Sequence, residues 1–86
     1  MTRVEKIHAA LTAAFAGAEV AVQDDSHMHA GHAGAATGRG HFNVRVVTPA
    51  FEGMSPIARH RAVYAAVDAL MQTDIHALAI DARTPA

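Results

Sequence analysis

Val4, Ile7, Leu11 and Phe15 recur at spacings of three and four, which gathers them on one side of a helix over residues 3–16. Thr2 and Glu5 stand in a capping-box relation at its start, and Gly17 supplies its stop. From Glu19 to Asp24 the period changes to two. Val20 and Val22 point one way, Ala21 and Gln23 the other, as in a short strand. Residues 25–40 then lose all periodicity and hold four of the six glycines, three histidines and no large aliphatic side chain. A connection of that length in a small domain calls for a functional explanation or is disordered. Periodicity returns in a second strand, His41 to Thr48, with Phe42, Val44 and Val46 on one face and His41, Asn43 and Arg45 on the other. Pro49 ends it, because proline has no N–H for the ladder. Phe51-Glu52-Gly53 turns the chain.

Ser55 is a good N-cap, and Pro56 suits the first helical position, where a missing N–H costs nothing. A helical pattern follows over residues 55–71, as one helix or two. Ile57, Tyr64, Val67 and Met71 form its apolar stripe, with Val63 and Leu70 beside it. Gln72-Thr73-Asp74 breaks the pattern. Ile75 to Ala82 reads as a third strand, with His76, Leu78 and Ile80 on one face. The order is helix, strand, strand, helix (or two), strand. The long crossover makes the last two strands parallel. The fold class is therefore α+β, a three-stranded mixed sheet covered on one face by helices, in one domain over residues 1–86.

Composition narrows the picture. Hydrophobic residues make up 51% of the 86, but 21 residues are alanine, so the larger side chains suffice for one thin core. Seven Lys and Arg against eight Asp and Glu leave a formal net charge of −1. Such a chain does not coat nucleic acid by bulk electrostatics, and any such binding needs a local patch. No cysteine is present, which excludes a disulfide scaffold and any thiolate metal site built from this chain alone. No apolar run approaches the roughly 18 residues that span a bilayer. The first residues carry mixed charge and no signal-like apolar core. A cytoplasmic protein without a membrane partner is expected.

Histidine is the compositional extreme, seven in 86. His27, His29 and His32 fall within six residues of the Gly-rich connection. As packing this spacing makes no sense, so they are either incidental in a solvated loop or metal ligands, since imidazole suits zinc, copper, nickel and iron. A loop does not fix geometry alone, so a second ligand on a rigid element is required. His76, opening the last strand beside the small Ala77, is the best candidate. A plain core or edge histidine is the competing reading. His41 sits at the start of the middle strand, either near the loop's end or structural, and His8 is an exposed helix residue. Arg59-His60-Arg61 makes a small basic cluster, which is either a solvated helix face or the polar end of a DNA-reading helix. A KH-type RNA groove needs Gly-x-x-Gly, whereas Gly53-Met54-Ser55-Pro56 has proline in place of the second glycine. Nucleophile elbow, phosphate loop, dinucleotide fingerprint and His-Glu-x-x-His are all missing, so no enzyme is expected.

Several segments form a pattern in combination. Asp25-Ser26, His29-Ala30-Gly31-His32, His41-Phe42, Phe51-Glu52-Gly53, Arg59-His60-Arg61 and Ile75-His76-Ala77-Leu78-Ala79-Ile80 occur in this order and at fitting spacing. Together the chain resembles the BolA-like family over nearly its whole length. The resemblance implies a class II KH-like fold without the Gly-x-x-Gly loop. It further implies a monothiol glutaredoxin partner, bound as an apo pair or through a bridging [2Fe-2S] cluster. In the bridged form the glutaredoxin cysteine and a glutathione thiol hold one side, and the BolA-like chain supplies a histidine near its last strand and a His or Cys from its long loop. Carried over here, the first is His76. The second is His29 counted forward from Asp25-Ser26, or His32 counted back from His41-Phe42. Histidine in this loop places the chain in the His-loop branch, and the C-terminal piece that many members carry is short or absent. The implied role is a non-enzymatic iron–sulfur adaptor for cluster assembly, transfer or iron-status signalling. Some members act in transcription, which makes a DNA-binding regulator using Arg59, His60 and Arg61 the alternative. A partner-free zinc, copper or nickel site on the loop histidines is a third reading.

Overall fold

The computed structural model describes residues 1–26 and 39–85. Its elements are α1 (Arg3–Ala14), β1 (Glu19–Asp24), β2 (Gly40–Val47), a 3-10 turn (Pro49–Phe51), α2 (Pro56–Ala66), the single turn α3 (Asp68–Met71) and β3 (Ile75–Arg83). The strands form one mixed sheet in the order β1-β2-β3, with β2 antiparallel to β1 and parallel to β3. The expected α+β architecture is the observed one.

Local chemistry explains the element ends. Thr2 Oγ1 accepts from the Glu5 amide at 3.1 Å, and the Glu5 carboxylate accepts from the Thr2 amide at 2.9 Å, a complete capping box. These bonds from Thr2 hold the Glu5 carboxyl below its ordinary range. α1 stops at Ala14, two residues short of the expected 16, because Phe15 leaves helical geometry and turns its ring edge-on to Phe51, with centroids 5.2 Å apart. Gly17 then takes φ +79°, a conformation that favours glycine. β2 ends at Val47 because Thr48 is spent as a cap, its hydroxyl accepting from the Ala50 amide at 3.2 Å.

The open question of one helix or two is answered by Val67, whose φ of −110° and ψ of 15° separate α2 from α3. The stripe assigned to this segment needs correction. Val63 and Val67 are buried and Ala62, Ala66, Leu70 and Met71 pack against the core, whereas Ile57 and Tyr64 are 65% and 40% exposed. The small Ala62 and Ala66 allow α2 to approach the sheet closely, and a reading weighted toward large side chains overlooks them.

The core gathers Ile7, Leu11, Phe42, Val44, Val46, Phe51, Val63, Val67 and Ile75 between the helices and one sheet face. Along β2 and β3 the inward pairs are Phe42 with Leu78, Val44 with Ile80 and Val46 with Ala82. The other face carries His41 with Ala77, Asn43 with Ala79 and Arg45 with Asp81, and its side chains are small or polar. Phe51 joins α1 to the sheet as the largest fully buried side chain. Replacing it, Phe51→Ala, is expected to remove about 3–5 kcal/mol of stability in urea titration, most of what a domain this size possesses.

Candidate metal centre

Strict alternation along β3 puts His76 on the same face as Leu78 and Ile80, the placement expected from sequence. The structure corrects it. Gly40 pairs with Ile75 and His41 with Ala77, so His76 is an extra residue, a bulge in a parallel pair. The bulge resets the phase: Ile75 is fully buried, His76 is exposed, and Leu78 and Ile80 still turn inward. The His76 ring comes to rest beside the ring of His41, centroids 5.2 Å apart and planes inclined by 50°.

The surrounding backbone is tightly tied. The Asp25 amide donates to the His41 carbonyl at 2.8 Å, and the His41 amide donates to Ser26 Oγ at 3.1 Å. The Ser26 amide in turn donates to Asp24 Oδ1 at 2.9 Å. Gly40 has no room for a side chain, since a Cβ there meets Ser26 Oγ at 2.5 Å and the Phe42 ring at 2.8 Å. Arg39 donates to the Met71 carbonyl at 3.1 Å. The chain therefore leaves at Ser26 and returns at Arg39 and Gly40 in the same corner, next to both imidazoles. His27, His29 and His32 lie outside the described residues. A shallow cavity of about 250 Å³ adjoins His41, lined also by Asp25, Phe42, Ala77, Leu78 and Ala79.

Among the described residues no three His, Cys, Asp or Glu side chains converge closely enough to hold a metal ion. The described corner thus holds two neighbouring imidazoles, that of His76 exposed and that of His41 half-buried. The sequence reading named His76 but left His41 open. The missed signal is Ile75: with Leu78 and Ile80 it makes an apolar series that no unbroken period of two can place on one face.

The basic cluster divides. Arg59 is half-buried and its guanidinium donates to the carbonyls of Met54 at 3.1 Å and Ala82 at 3.4 Å, while His60 and Arg61 are exposed. The Tyr64 hydroxyl donates to the Leu78 carbonyl at 3.3 Å. Arg59 and Tyr64 thus cap carbonyls along the edge strand β3, which blunts that edge against further pairing. On the open face Arg83 and Arg45 flank Asp81 at 2.7 and 3.3 Å, and the bond from Arg83 is the main reason the Asp81 carboxyl lies below its ordinary range.

A model of the BolA-like protein family matches residues 11–86. SufE-like protein 1, chloroplastic/mitochondrial, of Arabidopsis thaliana is 45% identical over 73 residues, covering 79% of this chain and 20% of that protein. Protein BOLA1, chloroplastic, of the same plant is 45% identical over 71 residues, covering 78% of this chain and 44% of that protein. The chain thus spans under half the length of either relative. The solved structure of BolA1 from Arabidopsis thaliana superposes with a TM-score of 0.83 at 33% identity, covering 99% of this chain and 94% of that one. No helix among the described residues is long and apolar enough to cross a membrane.

Two outcomes follow from these contacts. Arg59→Ala removes two guanidinium bonds to carbonyls and lowers the melting temperature, whereas Arg61→Ala, on an exposed face, stays within about 0.5 kcal/mol of the parent. Asp74 and Asp81 both have depressed carboxyl pKa values in the folded chain. Their stabilisation is therefore complete above the unfolded value near 3.9 and is lost as pH falls through the lower folded values. Acid unfolding followed by circular dichroism tests this: Asp74→Asn flattens the acid limb.

Proposed function

Since the chain belongs to the BolA-like protein family, we propose that it is a non-enzymatic iron–sulfur adaptor that pairs with a monothiol glutaredoxin and completes the ligand set of a bridging [2Fe-2S] cluster. The observation that carries this reading is the exposed His76 imidazole, lifted onto a bulge beside His41 at the corner where the His29- and His32-bearing segment begins and ends. The donor chemistry fits. Two neighbouring imidazoles on a rigid sheet end, with no thiolate in the chain, suit a ligand set shared with a thiol-bearing partner.

His76 is the fixed ligand in this reading, and His29 is the loop ligand, with His32 next. His41 braces the His76 ring and is the nearest further imidazole. The partner cysteine and a glutathione thiol supply the soft donors on the other side. Neutral imidazoles carry less negative charge than thiolates, so a bound cluster would offer one-electron chemistry at a raised potential, as in Rieske centres. Imidazole ligates as the neutral ring, so acid opposes ligation of this kind. The adaptor would work in cluster assembly, transfer or iron-status signalling, in the cytoplasm, where reducing conditions keep the partner's thiols available.

The alternative, a DNA-binding regulator acting through Arg59, His60 and Arg61, has less behind it. Arg59 is engaged with the Met54 and Ala82 carbonyls, which leaves His60 and Arg61 as exposed bases on a chain of net charge −1.

The test is reconstitution with a monothiol glutaredoxin, glutathione, iron and sulfide, followed by visible circular dichroism. His76→Ala is expected to abolish the shared-cluster spectrum while the apo pair persists. An unchanged cluster spectrum in that variant refutes the reading. His29→Ala should weaken the spectrum more than His32→Ala.

A further inference from the structure

His76 owes its place to a residue that is itself no ligand in the reading above. Asp74, two positions earlier, is 7% exposed and lies where three elements meet. Its amide donates to the Leu70 carbonyl at 2.8 Å, tying it to α3, and its carbonyl accepts from the Gly40 amide at 3.0 Å, at the start of β2. Its carboxylate Oδ2 stands 3.3 Å from Lys6 Nζ and 3.4 Å from Arg3 Nε, both on α1. Its Oδ1 accepts from the Thr73 hydroxyl. Only Ile75, fully buried, separates this anchor from His76.

The bulge itself is compelled by packing. Burying Ile75, Leu78 and Ile80 on one face requires an extra residue between the first and the second. Packing does not choose between His76 and Ala77 as that residue. If the extra residue were Ala77, His76 would pair with His41 and its ring would be placed differently. Both registers start from the same pair of Ile75 with Gly40, so that pair is the fixed point from which His76 departs, and the contacts holding Asp74 against Gly40 set it. We propose that Asp74 is a positioning residue for His76, and that its ion pairs with Lys6 and Arg3 make the N-terminal helix part of the geometry that sets the two imidazoles side by side. What the imidazoles ligate rests on the preceding reading; their placement does not.

Lys6 and Arg3 side chains are 43% and 44% exposed. Removing them leaves the Asp74 carboxylate with the Thr73 hydroxyl, so Arg3→Ala/Lys6→Ala and Asp74→Asn break the same ion pairs from opposite sides, and the melting temperature shows that each variant folds. The experiment is proton NMR on the metal-free full-length chain, reading the nuclear Overhauser effect between the His41 and His76 rings, with melting temperature measured alongside. The parent should give a clear ring-to-ring signal. Arg3→Ala/Lys6→Ala and Asp74→Asn should each reduce it several-fold, and Asp74→Glu should restore it. Asp81→Asn, which breaks the ion pairs of the open face, should leave it unchanged. An undiminished ring-to-ring signal in the double variant, with only the melting temperature lowered, overturns the proposal and makes Asp74 an ordinary structural anchor. The readout needs no iron. A positive ring result with no shared cluster in the parent complex would uphold the positioning and refute the ligand reading instead.

Discussion

The parallel pairing of β2 with β3 is the constraint on which the rest of the molecule depends. β2 is central, and its inward residues Phe42, Val44 and Val46 have no function except to be covered. β3 must meet them with Leu78, Ile80 and Ala82 on the same face, and it must also bury Ile75. An unbroken strand cannot do both, since a slip of one residue turns every later side chain over. The extra residue that reconciles them is His76. The extra residue is therefore a consequence of core packing, the register makes it His76, and the site is as rigid as the core beneath it. That rigidity is what a ligand on an otherwise small domain needs, because a chain with so few large apolar residues has little else to hold a side chain still.

The same constraint explains which parts of the structure can be read from the sequence. β1 and β2 alternate cleanly because one face is buried and the other open, and their faces follow from counting by two. The capping box at Thr2 and Glu5 and the Ser55-Pro56 start of α2 are local chemistry, complete within four residues. β3 is different: Ile75-His76-Ala77-Leu78 departs from a period of two, and the direction of the departure depends on Gly40 and His41, 35 residues away in sequence. Alternation in one strand carries no information about its partner's register. The inward face of α2 is obscured for a related reason. Ala62 and Ala66 earn their place by being small against the sheet, and smallness is invisible to a pattern that ranks positions by hydrophobicity.

The candidate site was half legible. His76 stands out by its place beside small residues and by resemblance, and the three loop histidines by their density. His41 does not, because a histidine at the start of a strand has no distinguishing neighbour until the bulge of β3 is known. The basic triplet shows the converse. Arg59, His60 and Arg61 are alike in sequence, but a helix turns about 100° per residue, so Arg59 faces the sheet edge while the other two face solvent. Adjacent residues of one charge on a helix are seldom one functional unit.

The proposed division of labour between this chain and a partner follows from its donor inventory. A chain with seven histidines and no cysteine offers borderline nitrogen ligands and no soft sulfur. Iron–sulfur clusters are held chiefly by thiolates, so such a chain on its own is a poor host for one. Joined to a thiol-bearing surface it would contribute ligands that are neutral, proton-sensitive and weaker. Ligands of that kind suit a group that must be handed on, since protonation or displacement of an imidazole releases one side of the cluster without disturbing the thiolates on the other. In the proposed complex, separation of the imidazoles from the thiolates onto two proteins would make dissociation of the pair a route to transfer, and it would require the histidine side to be ready in position before the partner arrives. A bulge pinned between a fully packed core and a buried aspartate meets that requirement without any metal present.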